Sequence, residues 1–253
     1  MLRKIKKFFY RQDKAAYVFL APSLILLFLF AFIPLICSII ISVMNLDIFF
    51  SDVYMTGLKN YLEAFQDERF WNALKNTVVF AVIEVPVQII LGLLVANVVA
   101  STSFFSKVAR SIFFIPVVCS MAAIGVVWSL LLDGTIGMVP YFCKEWFGIT
   151  GLNFFRNIST AMGTVIAMTV WKNFGYTMSI LVVGIQAIPK DYFEASEIDG
   201  ANKIQQFFKI TIPQLLPSLG FCLITNLIGS LQVFDQVYVT TGGGPQRATE
   251  TLV

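Results

Sequence analysis

The chain has 253 residues, 57% of them hydrophobic and only 13% charged, with a formal net charge of +3 and a mean hydropathy of +0.79. A soluble globular domain carries about 25% charged residues, so this composition excludes an ordinary soluble protein and indicates an integral membrane protein. The absence of histidine removes histidine-based metal sites, proton relays and triads, and the four cysteines (Cys37, Cys119, Cys143 and Cys222) lack the C-x-x-C spacing of a zinc or redox site.

Residues 1–16 form a basic segment: Arg3, Lys4, Lys6, Lys7, Arg11 and Lys14 face a single acid, Asp13, with Leu2, Ile5, Phe8 and Phe9 between them. That pattern suits a short interfacial amphipathic helix better than a nucleic-acid arm, because a long apolar run follows at once. The run is too long for a signal-peptide core and lacks a small-residue cleavage site, so it predicts an uncleaved first membrane helix at 17–44, with Pro22 near its start and Pro34 within it. A polar loop over 45–73 precedes a second helix at 73–99. A short basic link with Lys107 and Arg110 leads to a third helix at 111–132, which contains Pro116. Residues 133–158 read as a glycine-containing loop, with Trp146 and Phe147 suited to a membrane interface. A fourth helix at 158–187 and a fifth at 214–238 complete the apolar elements. The fold class is therefore all-α, a polytopic transmembrane bundle of five helices.

Between helices four and five lies a polar island, Pro189 to Pro217, that reads as two short helices joined at a glycine. Asp191 is placed to cap the first helix, with Glu194 three residues on completing a capping box. Gly200 falls where a left-handed C′ residue is needed. A second helical run, Lys203 to Ile210, ends before Pro213. Tyr192, Phe193, Ala195, Ile198, Phe207 and Phe208 give the hairpin an apolar side suited to docking into a partner protein.

Lysine and arginine counts set the orientation. With a cytoplasmic N-terminus, segments 1–14, 101–110 and 188–214 hold six, two and three basic residues, against two in each of 45–73 and 133–158. This distribution follows the positive-inside rule and puts the hairpin in the cytoplasm. Polar groups also fall inside the apolar runs: Glu84 in helix two, Lys172 and Asn173 in helix four, and Asn226, Gln232 and Asp235 along helix five. A charge at the bilayer centre costs about 2.5–3.5 kcal/mol, so such groups face a cavity or a partner. Two readings stand side by side. One is a polar substrate path through Glu84, Lys172, Asn173, Asn226, Gln232 and Asp235, with Trp128, Trp171, Tyr176 and Phe234 as stacking faces for a sugar ring. The other is a Glu84–Lys172 ion pair or plain interhelical hydrogen bonds. The glycine run at Gly242–Gly244 is followed by no G-K-[S/T], so it is not a Walker phosphate loop.

The hairpin residues Glu194, Ala195, Ser196, Asp199, Gly200, Ala201, Phe207, Ile210, Ile212, Pro213 and Pro217 resemble the EAA loop of ABC-importer permeases, with Ser196 in place of the second alanine and Ile212 in place of leucine. Gly57–Tyr61 (G-L-K-N-Y), Phe70–Thr77 and the T-G-G-G-P of Thr241–Pro245 are similar to the carbohydrate-uptake branch, the maltose/multiple-sugar/glycerol-phosphate type. The resemblance implies a permease subunit, not an enzyme, that forms half of the path for a sugar or oligosaccharide by alternating access. Residues 17–253 would be its transmembrane domain. The loop at 189–217 would be its coupling helix, with Glu194, Ala195, Ser196, Asp199, Gly200 and Ala201 engaging the ATPase. It also implies ABC ATPase subunits that bind ATP-Mg, no cofactor in this chain, a second homologous permease and an extracellular or periplasmic solute-binding protein. The location would be the bacterial inner membrane, in contact with lipid and not nucleic acid. The family has six core helices and this chain supplies five, which suggests a partial sequence. An ion-gradient-driven secondary transporter, or an importer permease for a non-sugar solute, are the alternatives.

Overall fold

The computed structural model describes residues 12–46 and 53–253. Most of the basic N-terminal segment, and Asp47 and Asp52 of the first loop, lie outside the described residues. Contacts divide the chain into two compact units, Met1–Glu68 and Arg69–Val253.

The first unit is built on one apolar rod. Helix α1 (Gln12–Leu27) passes through a π-helical turn at Phe28–Phe32 into α2 (Ile33–Ser42). The wide turn lies just ahead of Pro34. Proline lacks the N–H needed for the ladder and its ring crowds the carbonyl four residues back, and the π turn absorbs both, with Ile33 N–H bonding Phe28 O instead. Within this unit no part of the span Ala16–Ser42 is buried. Beyond it, β1 (Met44–Asn45) pairs antiparallel with β2 (Tyr54–Met55), and helix α3 (Lys59–Gln66) follows. The Asn60 amide ties the turn by donating to the carbonyls of Ser42 and Met44, both at 3.0 Å.

The second unit begins with the long helix α4 (Glu68–Val99), which starts earlier than the apolar run predicts. The third predicted helix is not continuous. It is a broken span, α5 (Phe104–Val118) and α6 (Met121–Leu131), bent by 95° at Cys119–Ser120. Pro116 sits in the last turn of α5, where the ladder is already ending. The Lys172 ammonium donates to Val117 O at 3.2 Å, and a cation at a helix C-terminus is favoured by the exposed carbonyl dipoles. The loop at 133–158 contains a helix, α7 (Met138–Phe147), ended by Gly148. Helix α8 (Ile158–Gln186) agrees closely with the predicted fourth helix and carries the most buried residues of any element.

The hairpin consists of α9 (Lys190–Ile198) and α10 (Lys203–Gln206). A second π turn at Phe207–Thr211, again just ahead of a proline, continues α10 into the short α11 (Ile212–Gln214). Pro213 therefore does not end the helix as expected. The chain bends by 67° into α12 (Leu216–Leu231). The predicted fifth helix stops at Gln232, and a separate short helix α13 (Asp235–Thr240) packs against α6. Three helices among the described residues are long and apolar enough to span a membrane, or five if each bent pair is one span.

The core of this unit is layered. One apolar cluster contains Phe80, Val165, Ile166, Val170, Val233 and Val237, and the other contains Ala96, Val99, Met178, Leu181, Val182 and Cys222. Polar residues of three helices accompany them: Glu84 and Gln88 of α4, Thr169, Asn173 and Thr177 of α8, and Asn226 and Ser230 of α12. Gly175 lets α8 lie against α5, since a Cβ there would overlap the Phe113 carbonyl oxygen.

Candidate functional site

Two regions carry the groups that the sequence singles out. The first is a cavity of about 240 Å³ at the polar layer, lined by Glu84, Gln88, Asn173, Tyr176, Asn226 and Gln236 among others. The lining residues lie one helical turn apart on each helix: Glu84 and Gln88; Thr169, Asn173 and Tyr176; Asn226 and Ser230. That spacing puts them on one face of each helix. The Gln88 amide donates to Thr177 Oγ at 3.0 Å, and the Asn226 amide donates to the same oxygen at 3.2 Å. Thr177, fully buried, thus ties three helices together behind the cavity wall. Glu84 and Gln88 are each only 3% exposed. Glu84 Oε2 and Gln88 Oε1 have no hydrogen-bond partner among the described residues.

Of the eight path residues read from the sequence, Glu84, Asn173 and Asn226 line this cavity. Lys172 is not in the lining but touches two residues that are, donating to Val117 O and, at 3.4 Å, to Asn173 Oδ1, and it makes no ion pair with Glu84. Trp128 and Trp171 pack on each other at 5.7 Å between ring centres, away from the cavity lining. Trp128 packs against the first apolar cluster, and Trp171 borders an apolar groove with Val79, Ile83 and Val87. Gln232 ends α12 and Asp235 opens α13, both exposed and both outside the lining. Tyr176 reaches the cavity, whereas Phe234 stacks on Tyr238 at 5.2 Å. Gln88, Thr169, Ser230 and Gln236 are lining residues that the sequence reading did not single out. The i,i+4 recurrence of polar residues within apolar runs was the signal that pointed to the first three.

The second region is the hairpin. Asp191 does not cap α9. Pro189 holds the cap position with no side-chain bond, and Asp191 lies in the first turn, where an acid suits the helix dipole without capping it. The capping box belongs instead to the second helix: Asn202 Oδ1 accepts from Gln205 N–H at 2.8 Å, and Gln205 Oε1 accepts from Asn202 N–H at 2.9 Å. The joint is a Schellman motif. Gly200 N–H bonds Glu197 O at 3.1 Å, Ala201 N–H bonds Ser196 O at 2.9 Å, and Gly200 has φ +76° as expected. Ser196 Oγ donates to Phe193 O at 2.8 Å and accepts from the buried Gln206 amide at 2.9 Å, which locks α9 to α10. Glu197 pairs with Lys203 at 2.6 Å, and the hydrogen bond from Lys203 holds its carboxyl below the usual glutamate range, with Gln206 adding to the effect. Glu194, Ala195 and Asp199 are exposed, as are Tyr192, Ile198, Ile204 and Phe208, with Ile198 at 88%.

A third group of contacts fixes the loop after α13. Arg69 pairs with Glu250, and Asn76 donates to Arg247 O at 3.0 Å and Glu250 O at 2.9 Å. Thr249, fully buried, donates to Gly244 O at 2.8 Å. The glycine run is thus a tied turn against the start of α4.

Residues 88–251 match the family described as binding-protein-dependent transport system inner membrane component. A probable ABC transporter permease protein YurN of Bacillus subtilis (strain 168) is 37% identical over 240 residues, covering 93% of this chain and 82% of that protein. The trehalose/maltose transport system permease protein MalF of Thermococcus litoralis is 32% identical over 243 residues, with 96% and 82% covered. The sn-glycerol-3-phosphate transport system permease protein UgpA of Agrobacterium fabrum is 33% identical over 246 residues, with 94% and 80% covered. Among solved structures, a bacterial ABC transporter involved in the import of the acidic polysaccharide alginate superposes with a TM-score of 0.80 at 22% identity, over 98% of this chain and 83% of that one, a likeness of fold.

Proposed function

The chain belongs to the binding-protein-dependent transport system inner membrane components, and from that premise we propose that it forms half of the path for a sugar or oligosaccharide in an ABC importer. Residues 17–253 are the membrane domain, with the N-terminus cytoplasmic. A solute-binding protein delivers the sugar, a second homologous permease completes the path, and separate ATPase subunits hold ATP-Mg and drive it.

The observation that carries this reading is the hairpin α9–α10. Its backbone ends are closed by a Schellman motif and a capping box, yet Tyr192, Ile198, Ile204 and Phe208 are left exposed. A short helix with its polar groups satisfied internally and an apolar face bare is built to seat in a groove of another protein. Glu194 and Asp199 are exposed on the same hairpin, Gly200 forms the left-handed joint between the two helices, and Ser196 and Ala201 take part in the bonds that hold it. Closure of the ATPase dimer pushes the hairpin, and the push reaches the cavity through α8 on one side and α12 on the other. Glu84, Asn173 and Asn226 supply hydrogen bonds to the sugar hydroxyls there.

Gly200→Asp tests the coupling role. No atom lies within 4 Å of a Cβ at this position, so the variant is not crowded, but it strains a left-handed residue and adds a charge to the docking face. Coexpressed with the ATPase and the partner permease, the variant should insert normally and lose at least tenfold in ATP-driven uptake. Uptake at the wild-type rate would remove the hairpin from the coupling role.

A further inference from the structure

We propose that Glu84 makes this path charge-selective, admitting uncharged, hydroxyl-rich sugars and turning away sugar acids and sugar phosphates. The inference rests on the cavity being the path.

The argument starts from what lines the cavity. Glu84 is its only acidic residue, and neither lysine nor arginine is in the lining. The Lys172 ammonium is outside the lining but beside it, committed to Val117 O and Asn173 Oδ1 of two lining residues. Two of the four lining amides have committed their donors, because Gln88 Nε2 and Asn226 Nδ2 both point to Thr177 Oγ, while the amides of Asn173 and Gln236 remain to donate to a solute. The buried groups of the wall left without a partner are a pair of acceptors one helical turn apart, Glu84 Oε2 and Gln88 Oε1. A buried acceptor without a donor is costly, and the site is completed by a ligand that brings donors. Sugar hydroxyls do this, and Tyr176 adds a ring on the same wall. A carboxylate or phosphate brings only acceptors and a like charge, with no guanidinium or ammonium in the lining to receive it.

The test reads the sign of the cavity's potential and needs no knowledge of the sugar. Thr225 lines the cavity and is replaced by cysteine in a background where the four native cysteines are alanine. The assembled transporter, with its ATPase and partner permease, is treated at pH 8 with two membrane-impermeant methanethiosulfonates, one bearing a trimethylammonium group and one a sulfonate. Rates are normalised to a free thiol in solution. The cationic reagent should be favoured about tenfold, the order expected of one nearby charge at an intermediate dielectric. Glu84→Gln should bring the ratio close to one, and Glu84→Asp should restore it. A ratio that is the same in wild type and Glu84→Gln, or one that favours the sulfonate, overturns the charge selection. Repeating the labelling in the vanadate-trapped state tests the underlying path separately. A transport cavity changes the side from which Cys at position 225 is reached. Accessibility unchanged by trapping removes the path reading, whatever the ratio.

Discussion

The hairpin and the cavity are opposites in what they leave unsatisfied. At α9–α10 the polar groups are closed on themselves and the apolar side chains are bare; at the layer between α4, α8 and α12 the apolar side chains are packed and two polar acceptors are bare. In the proposed reading each region lacks what its partner brings, a protein groove in one case and a hydroxyl-bearing solute in the other. The contrast shows that an incomplete site is recognised by the kind of group left over, not by exposure alone.

Substitutions that change what is left over test the contrast. The largest effect is expected from Thr177→Val, which keeps the side chain's shape but removes the oxygen that accepts from Gln88 and Asn226. Each orphaned buried donor costs about 1–3 kcal/mol, so the detergent-solubilised chain should melt several degrees lower in a thermal unfolding scan. An unchanged melting temperature would mean that Thr177 does not hold the layer together. Gln206→Ala should cost less, about 1–3 kcal/mol, because one amide is lost from the hairpin's inner side. Its signature is local: faster amide exchange over 193–206 with the spans unaffected. Uniform acceleration across the chain would contradict a lock confined to the hairpin.

The smallest effect is a pH dependence at Glu197. Its folded-state pKa lies below the ordinary value of 4.5, so the stabilisation from its pair with Lys203 is fully present above that value and is lost as pH falls through the lower folded value. Limited proteolysis at the hairpin should therefore stay slow down to about pH 4.5 and accelerate only below it. Lys203→Ala should be cleaved faster already at neutral pH and show a weaker acceleration on acidification, and an identical profile in the variant would show that the pair does not contribute.

Much of this was legible in the sequence. The five apolar runs give the spans in order, and Gly200 announces a left-handed joint because the residues on either side are helical. What was not legible depended on groups distant in sequence. Pro116 alone does not distinguish a tolerated proline from a break; the 95° bend is accompanied by Lys172, 55 positions away in the chain, supplying a cation to the freed end of α5. Asp191 has the right chemistry for a cap, but the chain enters α9 through Pro189, two residues too early for it. Helix facing decided which polar residues met. Trp128 and Trp171 found each other instead of the cavity, while Gln88 joined it because it lies one turn beyond Glu84.

The broken span has a mechanical consequence. Its first arm, α5, lies along α8 with the Gly175 contact holding them close, while its second arm, α6, lies along α13 through Gly125 against Val239 and Thr240. A straight rod would have forced those two neighbours to travel together. Under the proposed coupling, a rigid piece bent by 95° at Cys119–Ser120 would act as a bell crank, turning a slide along one arm into a sideways swing of the other.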